Sequence, residues 1–455
     1  MHGLHKPRPR TARKRPTVRT ADRPSAADRD RLAERNLRMA RIMHAPSART
    51  VARRVLFSLM AALPRVRGHI SPRTGRPRIV LFRPDHIGDV LLTTPALRLL
   101  REAMPDAEIL MLVNPVSAPI LIDNPDIDHL ITIPFPGFMR GAEAGAADAY
   151  ARAWATAEAL KRLNATHAVI LRPDHGWGAW AAARAGIPVR IGYDLADTRA
   201  YLTHRVPFAR AHAAELNARL IDALVSGTRT GPPPALQLPI GSADRADADA
   251  LLARHGIEPG TRIIAVHPGA GALFKRWDVE KWAKAAETLA YEREAAVVFT
   301  GGPGETELIE AIRTAMHPAA LAQRAGIGGS APDPVTLGVG TVHTASLAGE
   351  TPFAVLAAVY ARAEVVLGAD SGPMHIAVAA KAPTVTLYGP ADPAEFGPWG
   401  SAERHRALFS DIACRPCRIL DWGGDDPALH PCVREIGIGR VLEAARLAMN
   451  APDTR

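Results

Sequence analysis

Aromatic side chains, cysteine and long apolar runs are all scarce in this 455-residue chain. Aromatics make up 5% of it. Few rings interleave with its arginines, so stacking on nucleic-acid bases has little to work with, and no specific nucleic-acid partner is expected. The notable apolar run, Val55-Leu56-Phe57-Ser58-Leu59-Met60-Ala61-Ala62-Leu63, is nine residues long, whereas crossing a bilayer takes roughly 20. No hydrophobic signal peptide stands at the start, which implies a cytoplasmic location. None of the glycine turns matches a Walker A loop or a G-x-G-x-x-G fingerprint. The three cysteines, Cys414, Cys417 and Cys432, lie near the end. With His430 they offer four ligands of zinc-binding type, a structural-metal reading that competes with reduced thiols in an ordered loop.

What is present divides unevenly. Residues 1–78 hold 21 Lys/Arg against 4 Asp/Glu, while the rest holds 35 basic and 42 acidic residues. The chain is thus a mildly acidic body with a basic arm. The arm begins with Lys6-Pro7-Arg8-Pro9-Arg10 and Arg13-Lys14-Arg15, a polycationic pattern expected to be disordered. It turns helical in pattern from about Asp28 to Leu63. Arg53, Arg54, Arg65 and Arg67 flank the apolar run. Residues 28–67 therefore read as a basic amphipathic segment suited to an anionic membrane surface, as a helix packed on the body, or as a nucleic-acid-binding arm.

From Arg78 onward strands and helices alternate, which implies parallel sheets covered on both faces. Strands are expected at Arg78–Arg83, Glu108–Val113, Ile131–Ile133 and His167–Leu171, with helices at Asp89–Glu102 and Ala146–Leu163. Gly227-Thr228-Arg229-Thr230-Gly231-Pro232-Pro233-Pro234 is a linker by composition. A second series follows, with strands at Arg262–Val266, Ala296–Thr300, Ser346–Ala348, Glu364–Gly368 and Thr384–Tyr388, and a closing helix near Gly439–Met449. This gives an extension (1–76), two doubly wound α/β domains (77–232 and 233–434) facing a cleft, and a terminal helix and tail (435–455).

Open α/β sheets bind ligands at the carboxyl ends of their strands, and the turns there are polar. Asp370-Ser371-Gly372-Pro373-Met374-His375 joins a strand to a helix whose first N–H groups are unpaired, which suits a phosphate or diphosphate as well as an ordinary cap. Gly372 permits close backbone approach and Pro373 fits a first helical turn. His267-Pro268-Gly269-Ala270-Gly271 is a second such loop. Lys275 beyond it is either a diphosphate ligand or a solvated cation. Thr300-Gly301-Gly302-Pro303-Gly304-Glu305 is a third, its acid placed as in folds that bind ribose hydroxyls. Across the cleft, Asp85, His86, Gly88 and Asp89 open a helix, where Asp89 reads as a first-turn acid or as a general base. Asp126-Ile127-Asp128 resembles a metal-binding D-x-D but precedes a first-domain strand, away from these turns.

The ordered set Arg83–Val90, His267–Gly271, Lys275-Arg276-Trp277, Thr300-Gly301-Gly302 and Asp370–His375 closely resembles glycosyltransferase family 9, the ADP-heptose:lipopolysaccharide heptosyltransferases of Gram-negative bacteria. The resemblance runs from about Arg78 to Leu447. It implies a GT-B fold, an inverting reaction and no catalytic metal. By the same resemblance, a heptose or related sugar would pass from a nucleotide-diphosphate donor to a hydroxyl of a lipopolysaccharide-core or similar glycolipid, at the inner face of the membrane. It implies Asp89 as base, with Asp85, His86 and Gly88 on the acceptor side. On the donor side it implies His267, Gly269, Gly271, Lys275 (phosphates), Gly301, Gly302, Glu305 (ribose), Asp370, Ser371, Gly372, Pro373, Met374 and His375. Alternatives are another donor, a protein or capsule acceptor, or a nucleotide-sugar epimerase of similar architecture. The arm lies outside the family core, and related sequences often carry more cysteines.

Overall fold

The structure, a computed structural model, describes residues 25–45, 51, 55, 75–135, 146–227, 229–316, 342–422 and 425–452. Two six-stranded sheets carry the molecule. The first holds β1 (Arg78–Arg83), β2 (Glu108–Val113), β3 (His129–Thr132), β4 (His167–Ile170), β5 (Val189–Tyr193) and β6 (His204–Val206), in the order β3-β2-β1-β4-β5-β6. The second holds β7 (Ile263–His267), β8 (Ala296–Phe299), β9 (Thr344–Ser346), β10 (Val365–Ala369), β11 (Thr384–Tyr388) and β12 (His405–Phe409), in the order β12-β11-β10-β7-β8-β9. Counted from its own first strand, each sheet follows the same doubly wound order.

The central strands are unbroken apolar runs because both faces are covered. Ile79, Val80, Leu81 and Phe82 are fully buried, and Leu81 pairs in register with Met111 on one side and Val169 on the other. In the second sheet Val266 lies between Leu367 and Phe299, again with every side chain buried. Every strand pair is parallel. Strand order reverses between β1 and β4 and between β7 and β10, so each sheet opens a crevice at the carboxyl end of its first strand.

Several expectations shift. The helix foreseen at Asp89–Glu102 is two helices, Ile87–Leu91 and Thr94–Ala103. Pro95 has no N–H to continue a ladder and sits in the first turn of the second helix, which restarts there. β5, β6 and β12 were not foreseen. The terminal helix Ile438–Asn450 is part of the second sheet's cover, its Val441, Ala444 and Ala445 packing in one cluster with Val385 and Leu387.

The arm's described helix, Ala26–His44, opens on Ser25, whose hydroxyl accepts the Asp28 N–H at 3.2 Å. It lies against the second lobe: Ala33 packs with Ile412, Cys414 and Cys432, and Ala40 with Phe274, Ile419 and Trp422. Of the segment 28–67 read as membrane-seeking, this part is therefore docked on protein. The polycationic start and residues 56–63 of the apolar run lie outside the described residues. Among the described residues no helix is long and apolar enough to cross a membrane.

Candidate active site

The first half of the site grows from the end of β1. A charge at the last position of a buried strand needs partners, and Arg83 has several. Its Nε lies 2.8 Å from Asp85 Oδ2, its Nη1–H donates to Asn217 Oδ1 at 3.1 Å, and its Nη2 stands 3.4 Å from Asp89 Oδ1. Asn217, on the helix Ala213–Val225, is fixed in turn by donating to the Leu92 carbonyl at 2.9 Å. Arg172, just past β4, forms a second ion pair with Asp85 and a 2.7 Å pair with Asp174. Burial alone would raise Asp85, but Arg83 and Arg172 together hold its carboxyl below the usual range. The same neighbourhood acts oppositely on Asp89. Burial and the Asp85 charge push the Asp89 carboxyl up, against the pull of Arg83 and Arg172. The two acids are thereby separated into a fixed counter-ion and a carboxylate with raised basicity.

Asp89 opens onto a cavity of about 270 Å³ between the lobes. Leu171, Leu195, Phe208 and Leu216 form an apolar wall, and Glu395 and Phe396 reach in from the second lobe. Arg210 bridges to Glu395 at 3.1 Å, and Glu395 is also held by Arg418 at 2.7 Å. Nearby, His212 stacks on Trp399 at 4.7 Å, and the Trp399 Nε1–H donates to Pro234 O at 2.9 Å.

The second half lies at the ends of β7, β8 and β10. The helix Gly372–Ala379 begins at Ser371, whose hydroxyl donates to Ala369 O at 3.0 Å and makes no cap bond to the helix. Its first amides are thus left without a side-chain cap. Lys275 Nζ sits 2.6 Å from Asp370 Oδ2, in a buried ion pair, so it is not a solvated cation. His375 is buried, and burial brings it down to about 4, leaving a neutral imidazole. His267 is brought down to about 4 by burial, with Glu305 opposing, and its Nδ1 meets Thr300 Oγ1 at 3.0 Å. Glu305 accepts the Gly302 N–H at 2.8 Å, and its carboxylate fills the space where a Cβ on Gly269 would stand. Met374 occupies the equivalent space at Gly368.

The halves touch at two glycines. A Cβ on Gly88 would lie 2.9 Å from His375 Cδ2, and one on Gly372 would overlap the Ile87 side chain and sit 3.3 Å from the Gly88 nitrogen. Two helix starts therefore meet nearly backbone to backbone, with Asp89 one residue past the contact. His86 is exposed beside it. The Asp126–Asp128 pair stands apart, at the amino end of β3, bound by Arg98 at 3.2 Å and Arg101 at 2.7 Å.

The structure gives the four-ligand metal reading no support. Cys414, Cys417, His430 and Cys432 line one small space with Asn36 and Phe274. Among the described residues, however, no group of three or more His, Cys, Asp or Glu is placed to hold a metal. His430 directs Nε2 to Asp425 at 3.2 Å and packs its ring on Trp422 and Phe274. Burial pushes the Cys432 thiol up to about 12, so it stays protonated in an apolar pocket.

Residues 154–331 and 335–419, more than half of the chain, match the profile of glycosyltransferase family 9 (heptosyltransferase). The chain belongs to glycosyltransferase family 9. Lipopolysaccharide heptosyltransferase 3 of Escherichia coli is 28% identical over 324 residues, covering 69% of this chain and 84% of that protein. A glycosyltransferase family 9 structure from Veillonella parvula superposes with a TM-score of 0.62 at 23% identity, covering 82% of this chain and 97% of that one. The E. coli ADP-heptose lps heptosyltransferase II gives 0.60 at 21% identity, covering 82% and 98%. The two-lobed GT-B fold and glycosyltransferase membership expected from the sequence both stand. Family 9 sequence motifs pointed to Asp89 and Lys275. Arg210, Asn217 and Glu395 were missed, the only clue to Asn217 being an amide on an otherwise apolar helix face.

Proposed function

We propose that this family 9 glycosyltransferase moves a heptose from an ADP-linked donor to a hydroxyl of a lipopolysaccharide-core glycolipid, with inversion and without a catalytic metal. The observation that carries the reading is the raised Asp89 carboxyl, at a cavity mouth one residue from the contact between the Ile87–Leu91 and Gly372–Ala379 helix starts. Asp89 takes the proton of the acceptor hydroxyl as its oxygen bonds to the anomeric carbon. The bond from that carbon to the diphosphate oxygen breaks, and ADP leaves on the opposite side. Lys275 and the first amides of Gly372–Ala379 meet the charge that gathers on the leaving diphosphate. Glu305, already anchored by Gly302, is assigned to the ribose. Neutral His375 and His267 add no competing positive charge and shape the donor pocket. The acceptor sugar lies in the Asp89 cavity, and the segment beyond His44 is assigned to the anionic inner-membrane surface where such a glycolipid resides. The names of the E. coli relatives support the donor and acceptor classes.

The test is product analysis by mass spectrometry, with a panel of nucleotide-sugars and extracted glycolipid. Heptosyl addition from the ADP-linked donor, lost in Asp89→Asn while ADP still binds, is the expected result. Conversion of donor without acceptor, or full turnover in Asp89→Asn, refutes the reading.

A further inference from the structure

We propose that the N-terminal helix Ala26–His44 is a positioning element of the donor site, setting the place of Lys275 through His430 and Phe274. The proposal rests on the donor role of Lys275 given above. None of the helix's residues belongs to the segments matched by the family profile, which begin at residue 154.

The helix is fastened along its length. Arg29 Nε contacts both carboxylate oxygens of Glu435 at 2.9 Å, and its Nη2 pairs with Asp411. Arg35 Nη2 meets Asp425 Oδ2 at 2.7 Å, Asn36 Nδ2–H donates to Leu429 O at 2.9 Å, and His44 Nε2 stands 2.8 Å from Cys417 O. Between these polar ties, small side chains at 33 and 40 let the helix approach the lobe closely, and both are buried.

From this face a continuous line of contacts leads to the donor site. Asp425, the partner of Arg35, also binds His430 at 3.2 Å. The His430 ring meets the Phe274 ring edge-on at 5.3 Å. Phe274 packs against Ala40 as well, and is the middle residue of the one-turn helix Leu273–Lys275. Its carbonyl oxygen lies 3.2 Å from the position of a Cβ on Gly389, just past β11, so the turn is wedged between the N-terminal helix and the second sheet. The next side chain is Lys275, reaching Asp370. Among the described residues no hydrogen bond or ion pair joins the N-terminal helix to Lys275 or Asp370. Its influence is mechanical, passed through packed rings whose arrangement is fixed on both sides. A displacement of a binding group by a fraction of an ångström is enough to matter at such a site.

The test uses the full chain and four variants. Ala40→Glu places a carboxylate in the apolar contact with Phe274, and Ala40→Ser is its conservative control. Arg29→Glu breaks a tie remote from Phe274, and Arg29→Glu/Glu435→Arg/Asp411→Asn restores that tie with the charges exchanged and the second acid neutralised. ADP affinity by calorimetry, donor and acceptor KM, kcat, and hydrogen exchange over 272–276 are the readouts. The expected result is a rise of about tenfold in ADP Kd and donor KM for Ala40→Glu, with faster exchange over 272–276 and an unchanged acceptor KM. Ala40→Ser stays at the wild-type level, and the charge exchange recovers what Arg29→Glu loses. An Ala40→Glu protein whose helix loses exchange protection but whose ADP affinity stays at the wild-type value overturns the proposal. So does an Arg29→Glu defect in ADP affinity that the exchanged pair leaves uncorrected. Lys275→Ala, run alongside, separates the two readings. Unaltered ADP affinity there sinks the donor role, whereas loss there without loss in Ala40→Glu sinks only the positioning role.

Discussion

Lys275 and Asp370 form an ion pair whose side chains are 13% and 8% exposed, with 2.6 Å between Nζ and Oδ2. Replacing Lys275 by Met strands a buried carboxylate. Breaking such a pair from one side costs about 3–5 kcal/mol, a melting shift of roughly 6–20 °C for a lobe of this size. That loss alone would depress activity and masquerade as a binding defect. The double variant Lys275→Met/Asp370→Asn removes both charges, and stability then returns close to the wild-type value because neither group is left uncompensated. Donor binding follows a different course. A diphosphate deprived of its ammonium partner loses a charge-assisted hydrogen bond of about 1.5–3 kcal/mol, or roughly 10–150-fold in ADP affinity. Neutralising Asp370 removes a negative charge next to the ligand, so it works toward tighter ADP binding and cannot account for a loss. Thermal melts and ADP calorimetry on the wild type and both variants decide the matter. A double variant with restored melting temperature and weakened ADP binding is expected. Wild-type ADP affinity in that protein refutes the donor role of Lys275, and an unshifted melting temperature in Lys275→Met refutes the buried-pair argument.

Other outcomes follow from the same geometry. Asp89→Asn lowers turnover by about 10²-fold or more, in the range for a lost general base, with ADP affinity by calorimetry within twofold (about 0.4 kcal/mol). Since the folded state raises the Asp89 pKa, its stabilising contribution is present below the unfolded value, roughly 3.9, and is lost as pH rises through the raised one. Asp89→Asn should therefore melt at or above the wild-type temperature at pH 8, and a lower melting point contradicts this sign. Catalysis needs the ionised form, so kcat/KM falls as pH drops through the raised value. Asp85→Asn removes a charge that does the raising, so the acidic limb of the pH–rate profile moves to lower pH, and a stationary limb excludes Asp89 as its origin. Gly372→Ala drives a methyl into Ile87, at a cost of about 1–3 kcal/mol for overpacking. It should also reduce kcat/KM by pushing apart the two helix starts, and unchanged kinetics would show that their contact is not needed.

The doubly wound pattern was readable because the central strands are long apolar runs bounded by polar turns. β5, β6 and β12 escaped for a physical reason. β5 carries Arg190, β6 is three residues at a sheet edge with His204 and Arg205 exposed, and β12 is an edge strand with a single buried residue, His405. Such strands are held by their neighbours more than by their own pattern. The turns after β1, β7, β8 and β10 were legible as polar breaks, and family motifs supplied their roles. Their electrostatic division was not. That Asp85 is a fixed counter-ion and Asp89 the raised acid depends on Arg172, 87 residues beyond Asp85, folding back against it. The cysteine spacing left two readings open because the same pattern serves a metal knot or a packed thiol pocket. His430's place between Asp425, Trp422 and Phe274 is set by tertiary packing, and no spacing rule reveals it. The N-terminal helix hid its docking face because that face is built from Ala33, Asn36 and Ala40, whose apolar signal is weak.

The bond between Arg29 and Glu435 joins positions 406 residues apart. A chain growing at about 5–20 residues per second exposes the first of these roughly 20–80 s before the second. Throughout that interval the N-terminal helix has no surface to dock on, and helices in proteins draw most of their stability from such packing. The donor lobe can assemble its sheet, but the turn holding Lys275 lacks the packing that sets it until residues 411–435 arrive. Synthesis order thus acts as a clock: the N-terminal helix is made long before the surface it docks on, and a nascent chain cannot present a finished donor site before residue 435 has been added.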